Sequence, residues 1–229
     1  MSASGNFAFG TGAPPFGKAA WPVARKTDRD RCAQAGSSWE ELCHTYRYAA
    51  YAYIHQQAAG VAAAERETWD FFAWFLQEKQ CARFARVNGR FRCALLAALR
   101  EYRAAESAGN DGDGTPAALD AERFYDEVWA LAVCYEALNR VREEYVAAGR
   151  VRQFNQMKVF LSNDPALWVS DPGISLFLKM PGAAIAMAVA SDRLRLRYGE
   201  LVRAEIARIV STPADLEEEM RHLFGVLHR

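Results

Sequence analysis

The side chains with most to offer chemically are arginines. Between Cys81 and Arg103 stand Arg83, Arg86, Arg90, Arg92, Arg100 and Arg103 against one acid, Glu101, with Phe84, Phe91 and Tyr102 interleaved. Guanidinium groups pair bidentately with phosphate, and aromatic rings stack on unpaired bases. The pattern fits a surface that captures a flipped or melted base. It equally fits a solvated arginine-rich helix face over core aromatics. A second basic run holds Arg193, Arg195, Arg197, Arg203 and Arg208 against Glu200 and Glu205. It follows a tight turn at Met180-Pro181-Gly182, so a short helix, a turn and a basic helix stand in helix-turn-helix order. The base-reading end of that helix would be Ala183, Ala184, Ile185, Ala186, Met187 and Ala188. None of these makes the bidentate base contacts worth ~1–3 kcal/mol each. The arginines come later, where phosphate contact is natural.

Other constellations are weaker. Glu41/His44 and Glu219/His222 are two Glu-x-x-His pairs, the spacing that builds di-iron sites on bundle helices. The second pair sits at the far end of the chain, outside any obvious bundle core, and no metal site is expected. Asp111 and Asp113 alternate as in a calcium loop, but no Glu completes the ligand series. No Ser-His-Asp order, phosphate loop or dinucleotide fingerprint is present. The residues point to no catalytic group and no cofactor.

Helices must position these residues. Ser38 and Glu41 form a capping box, after which Trp39, Leu42, Tyr46, Ala50 and Tyr53 recur at helical spacing until Gly60. A second helix is expected over 62–79 around Phe71, Phe72, Phe75 and Leu76. A third, over 90–105, carries Phe91, Leu95, Leu99 and Tyr102. Residues 107–116 (SAGNDGDGTP) read as a linker. A long helix follows over 120–148, with Phe124, Val128, Leu131, Tyr135, Leu138 and Val141 on its face and Gly149 as its stop. Next come a short helix over 151–161, another over 174–179, a longer one reaching Val210, and an acidic helix capped by Thr212-Pro213 and carrying Glu217, Glu218 and Glu219. No stretch alternates as a strand does, so the fold class is all-α.

Composition sets the frame. The 229 residues hold 28 Lys plus Arg and 28 Asp plus Glu. A neutral chain does not coat nucleic acid by bulk charge, although a local basic stripe remains possible. The longest clean apolar run, 183–190, falls far short of the ~20 residues a membrane-spanning helix needs. The first 20 residues, rich in Gly, Ser and Pro and broken by Phe7, Phe9 and Phe16, read as a flexible tail and not as a signal peptide. The five cysteines (Cys32, Cys43, Cys81, Cys93 and Cys134) form no C-x-x-C pair, which suits reduced thiols in a cytoplasm.

Taken in order, these segments resemble the extracytoplasmic-function-like sigma factors of planctomycetes and related bacteria. Trp39-Glu40-Glu41-Leu42, Tyr46 and Tyr51-Ala52-Tyr53-Ile54 are similar to the opening helix of sigma region two. Ala64-Glu65, Thr68 and Phe71-Phe72-Ala73 resemble the polymerase-contacting stretch. Asn88-Gly89-Arg90-Phe91-Arg92, then Leu95-Leu96, resembles the segment leading the promoter-melting helix. Phe124-Tyr125-Asp126, Trp129-Ala130-Leu131, Leu138, Arg142-Glu143-Glu144-Tyr145 and Phe160-Leu161-Ser162 are similar to the long helix and its sequel. Leu178-Lys179-Met180 through Ala184-Ile185, then Tyr198, Glu200-Leu201, Arg203 and Glu205-Ile206-Ala207, resemble region four. The likeness covers about residues 28–224.

The resemblance implies a tail (1–27), a region-two-like three-helix domain (28–106), a linker (107–118), and a long helix leading into a region-four-like helix-turn-helix domain with an acidic last helix (119–229). It implies a cytoplasmic, non-enzymatic initiation factor whose partners are core RNA polymerase, promoter DNA and an anti-sigma or other regulatory protein. Minus-ten DNA contacts would fall to Arg83, Arg86, Arg90, Phe91 and Arg92, and upstream contacts to Lys179, Arg193, Arg195 and Arg197. Core-polymerase contacts would fall to Glu65, Thr68, Trp69 and Phe72.

Three departures weigh against full function. Arg66 and Trp69 replace the family's Asp and Gln, and a reversed charge at a polar contact weakens binding. Gly182 and Ala186 stand where basic and polar readers are expected. Ser191-Asp192 are two extra residues, which turn the following helical face by about 200°. The alternative is a sigma-derived interaction module, with the 183–190 stripe and Trp69/Trp74 as partner contacts. An unrelated helical-bundle enzyme would instead purify with metal.

Overall fold

A computed structural model describes residues 39–77, 80, 83–84, 90–106, 116–161 and 183–228. The expected tail, the Ser38 cap, the 107–115 linker, the helix at 174–179 and the turn at 180–182 lie outside the described residues. The fold is all-α, as expected. Seven α-helices are described: α1 (Trp39–His55), α2 (Val61–Phe75), α3 (Phe91–Glu106), α4 (Pro116–Ala147), α5 (Val151–Met157, continuing as a 3₁₀ turn over Lys158–Leu161), α6 (Ala183–Ala207) and α7 (Pro213–Leu227). Among the described residues there is no strand, only a single bridge between Arg90 and Val210.

Most boundaries follow from local chemistry. Gly149, at φ +69°, ends α4 in the left-handed conformation that glycine adopts without strain. Thr212 caps α7 by accepting a hydrogen bond from the Asp215 amide, and Pro213 opens the first turn. The expected boundaries shift at two places. Helix α1 stops at His55, five residues before Gly60, and α4 starts at Pro116, inside the expected linker.

The long α4 is the spine. Its largest interface is with α1, its next with α6, and it also touches α3, α5 and α7. Its inward stripe of Ala121, Tyr125, Trp129, Val133, Ala137 and Val141 is buried, and meets Leu42, Tyr46, Ala49, Ala50 and Tyr53 of α1 within one continuous core. That core also takes in Leu95 and Leu99 of α3, Leu201 and Ile206 of α6, and Leu223 and Val226 of α7. Helices on both sides of the expected linker therefore share a single apolar interior.

Candidate functional site: a buried arginine–carboxylate junction

Arg92 opens α3 on the helical stripe of Leu95, Leu96 and Leu99, so the fold that buries those leucines carries its guanidinium inward. Its side chain is only 9% exposed. Two carboxylates from distant helices meet it. Nε donates to Glu219 Oε2 at 2.7 Å and Nη2 to Glu219 Oε1 at 3.0 Å, while Nη1 donates to Asp126 Oδ1 at 2.9 Å. The guanidinium also lies 5.3 Å from the centre of the Trp129 ring. Tyr125 Oη donates to the Arg92 carbonyl at 2.9 Å. The planar fork of arginine suits this two-sided grip.

Glu219 has no exposed side-chain surface. It occupies the α7 stripe that also holds Leu223 and Val226, so α7 turns one carboxylate into the core and Arg92 neutralises it. Asp126 also faces His222, whose Nε2 lies 3.2 Å from Oδ1 but is poorly aligned for a hydrogen bond. Burial works to raise the Asp126 pKa. His222 and Arg92 outweigh it and hold the carboxyl below its usual range.

Arg90 stands two positions earlier, just before α3, with 27% of its side chain exposed, and gathers three acids of α7. Its Nη1 lies 3.0 Å from Glu218 and 3.4 Å from Glu219, and its Nε 3.8 Å from Asp215. Beside it the Phe91 amide donates to the Ile209 carbonyl at 2.8 Å.

A second junction ties α6 to α4 and α1. Glu205, 1% exposed, meets Arg140 at 2.5 Å and Arg208 at 3.1 Å, and Arg208 reaches Glu41 at 3.1 Å. The buried Tyr46 hydroxyl close to this junction has no hydrogen-bond partner among the described residues.

Of the minus-ten set, Phe91 is buried against Tyr46, with ring centres 5.9 Å apart. Arg92 is buried, Arg90 is half-buried in its acid cage, and Arg83 is exposed and paired with Glu101 at 2.6 Å. Arg86 lies outside the described residues. The rest of that basic run is also paired, Arg100 with Glu122 at 2.6 Å and Arg103 with Glu67 at 2.5 Å.

Of the upstream set, Arg195 donates to the Phe160 carbonyl at 2.8 Å, and Arg197 is gripped by Glu144 at 2.6 Å and Glu200 at 2.7 Å. Arg193 is exposed and lines an open pocket of about 380 Å³ with Tyr145, Arg150, Gln153, Val189 and Ala190. Lys179 lies outside the described residues.

Of the polymerase set, Thr68 and Phe72 are core residues. The Thr68 hydroxyl donates to the Ala64 carbonyl at 2.6 Å, and Phe72 packs edge-on against Phe71. Glu65 and Trp69 are part-exposed on the same helix. One expectation is corrected outright. The Glu219/His222 pair lies against the core, not outside it, and faces Arg92 and Asp126. Among the described residues no three His, Cys, Asp or Glu side chains gather as a metal site. No described helix is long and apolar enough to cross a membrane.

The Arg92–Glu219 pairing was missed from sequence, although a signal was there. Each is a lone charge on an otherwise apolar stripe, and the two signs are opposite. Glu205, flanked by Leu201, Val202, Ile206 and Ile209, carries the same signature. Comparison with known proteins adds no relative: no family model, curated protein or solved structure matches the chain.

Proposed function

We propose that the chain is an RNA polymerase initiation factor of the extracytoplasmic-function sigma type. It binds core polymerase and engages promoter DNA through the segment that opens α3. The observation that carries the reading is Arg90. It leads the helix that the sequence likeness assigns to promoter melting, it is part-exposed, and its guanidinium gathers carboxylate oxygens. Such a group gathers phosphate oxygens by the same geometry. Glu65, Arg66 and Trp69 leave α2 a surface for a protein partner.

A second reading is favoured by the buried Thr68 and Phe72 and by the carboxylates on Arg197. In it the chain is a sigma-derived interaction module that no longer reads promoters.

Pull-down of host core polymerase by the tagged protein separates the two, with the Arg66→Asp/Trp69→Gln variant alongside. Retention of polymerase by the natural chain, weakening as salt rises, supports the initiation factor. Retention by the variant alone, or by neither, supports the module.

A further inference from the structure

We propose that α7 is a built-in competitor for the nucleic-acid site. Its carboxylates occupy Arg90 and Arg92 in the free protein, and DNA phosphates reach that site only when α7 moves aside. The inference rests on the reading of the Arg90 segment as DNA-contacting.

Four acids fall within five residues of α7: Asp215, Glu217, Glu218 and Glu219. Three of them converge on Arg90, and the fourth meets Arg203. Glu219 takes Arg92 through two parallel hydrogen bonds, as a phosphate would.

Four features make the helix releasable. Its apolar hold is small: Leu223 and Val226 are fully buried, Leu216 and Met220 are partly so, and Phe224 and Leu227 stay exposed. Its own cap, Thr212 with Pro213, lies within its own first turn and is kept when it undocks. The hydrogen bond from the Phe91 amide to the Ile209 carbonyl and the Arg90–Val210 bridge pin the first part of the 208–212 connection, so the helix turns away about the residues just before its Thr212 cap. Finally, opening strands no charge. Arg92 keeps Asp126 at 2.9 Å and the face of Trp129, while Glu219 passes into water. A buried ion pair whose separation orphans neither charge escapes most of the usual penalty.

The test is fluorescence anisotropy of a labelled single-stranded DNA oligonucleotide with the full chain. Asp215→Asn/Glu218→Gln loosens the cage from its solvent side and leaves Glu219 on Arg92, so the core stays intact. A charge-matched control, Asp120→Asn/Glu143→Gln, alters exposed acids away from α7. Two part-screened pairs predict about three- to tenfold tighter binding for the first variant, and no comparable gain for the control. Adding Arg90→Ala should abolish the gain, and DNA should speed amide exchange in α7. The inference is overturned, with the reading left standing, if the wild type already binds through Arg90 and the α7 variant binds no tighter. It falls together with the reading if no variant binds DNA, with or without core polymerase.

Discussion

Replacing Arg92 by methionine should be more damaging than replacing its main partner, Glu219, by leucine. Arg92→Met leaves Glu219, wholly without exposure, facing only Arg90 at 3.4 Å, and leaves Asp126 to His222. Orphaning one member of a buried pair costs roughly 3–5 kcal/mol, and the loss of the Trp129 stack adds about 1 kcal/mol. Glu219→Leu leaves Arg92 held by Asp126 at 2.9 Å and by Trp129, so about 2–3 kcal/mol is expected. The double variant removes both charges, and its destabilisation should fall about 2–3 kcal/mol short of the sum of the two. Urea unfolding followed by circular dichroism measures all three, provided the slope against denaturant is unchanged. An Arg92→Met cost under about 1 kcal/mol, a reversed order, or strict additivity would refute the account of this junction.

Two further outcomes follow from the same geometry. Asp126 has a depressed pKa in the folded chain, so it contributes stability above the ordinary carboxylate range and loses it as pH falls through the folded value. Unfolding scans should therefore show a loss of stability below about pH 4 that Asp126→Asn removes. Tyr46→Phe deletes a buried hydroxyl with no acceptor among the described residues, and thermal unfolding should report a gain of about 1 kcal/mol. A loss of that size would mean that the hydroxyl has a partner.

Helix positions were legible because they depend on local signals. The apolar spacing of Leu42, Tyr46, Ala50 and Tyr53 located α1, Gly149 located the end of α4, and Thr212-Pro213 located the start of α7. The site was less legible, because a basic run carries no record of where its acids are. Arg90 and Arg92 share an acid more than 120 residues downstream, Glu219. Thr68 and Phe72 illustrate the same limit. Both are buried, on the stripe with Ala64, Phe71 and Phe75; apolar spacing marks Phe72 as core but not Thr68, and the sequence likeness assigns both to a partner. Arg195 and Arg197 belong to one basic run in the sequence, yet their partners come from the Phe160 carbonyl and from Glu144.

The distance along the chain between these partners also bears on synthesis. A ribosome adds roughly 5–20 residues each second. Arg92 and Asp126 therefore emerge many seconds before Glu219, and Glu41 waits longer still for Arg208, 167 positions later. During that interval the chain already holds Asp126, 34 positions after Arg92, and all the residues of α1 and α4. Of the two carboxylates on Arg92, Asp126 is thus the one already made while the chain is still growing. The carboxylate that completes the junction arrives last, and with it α7 closes the interior.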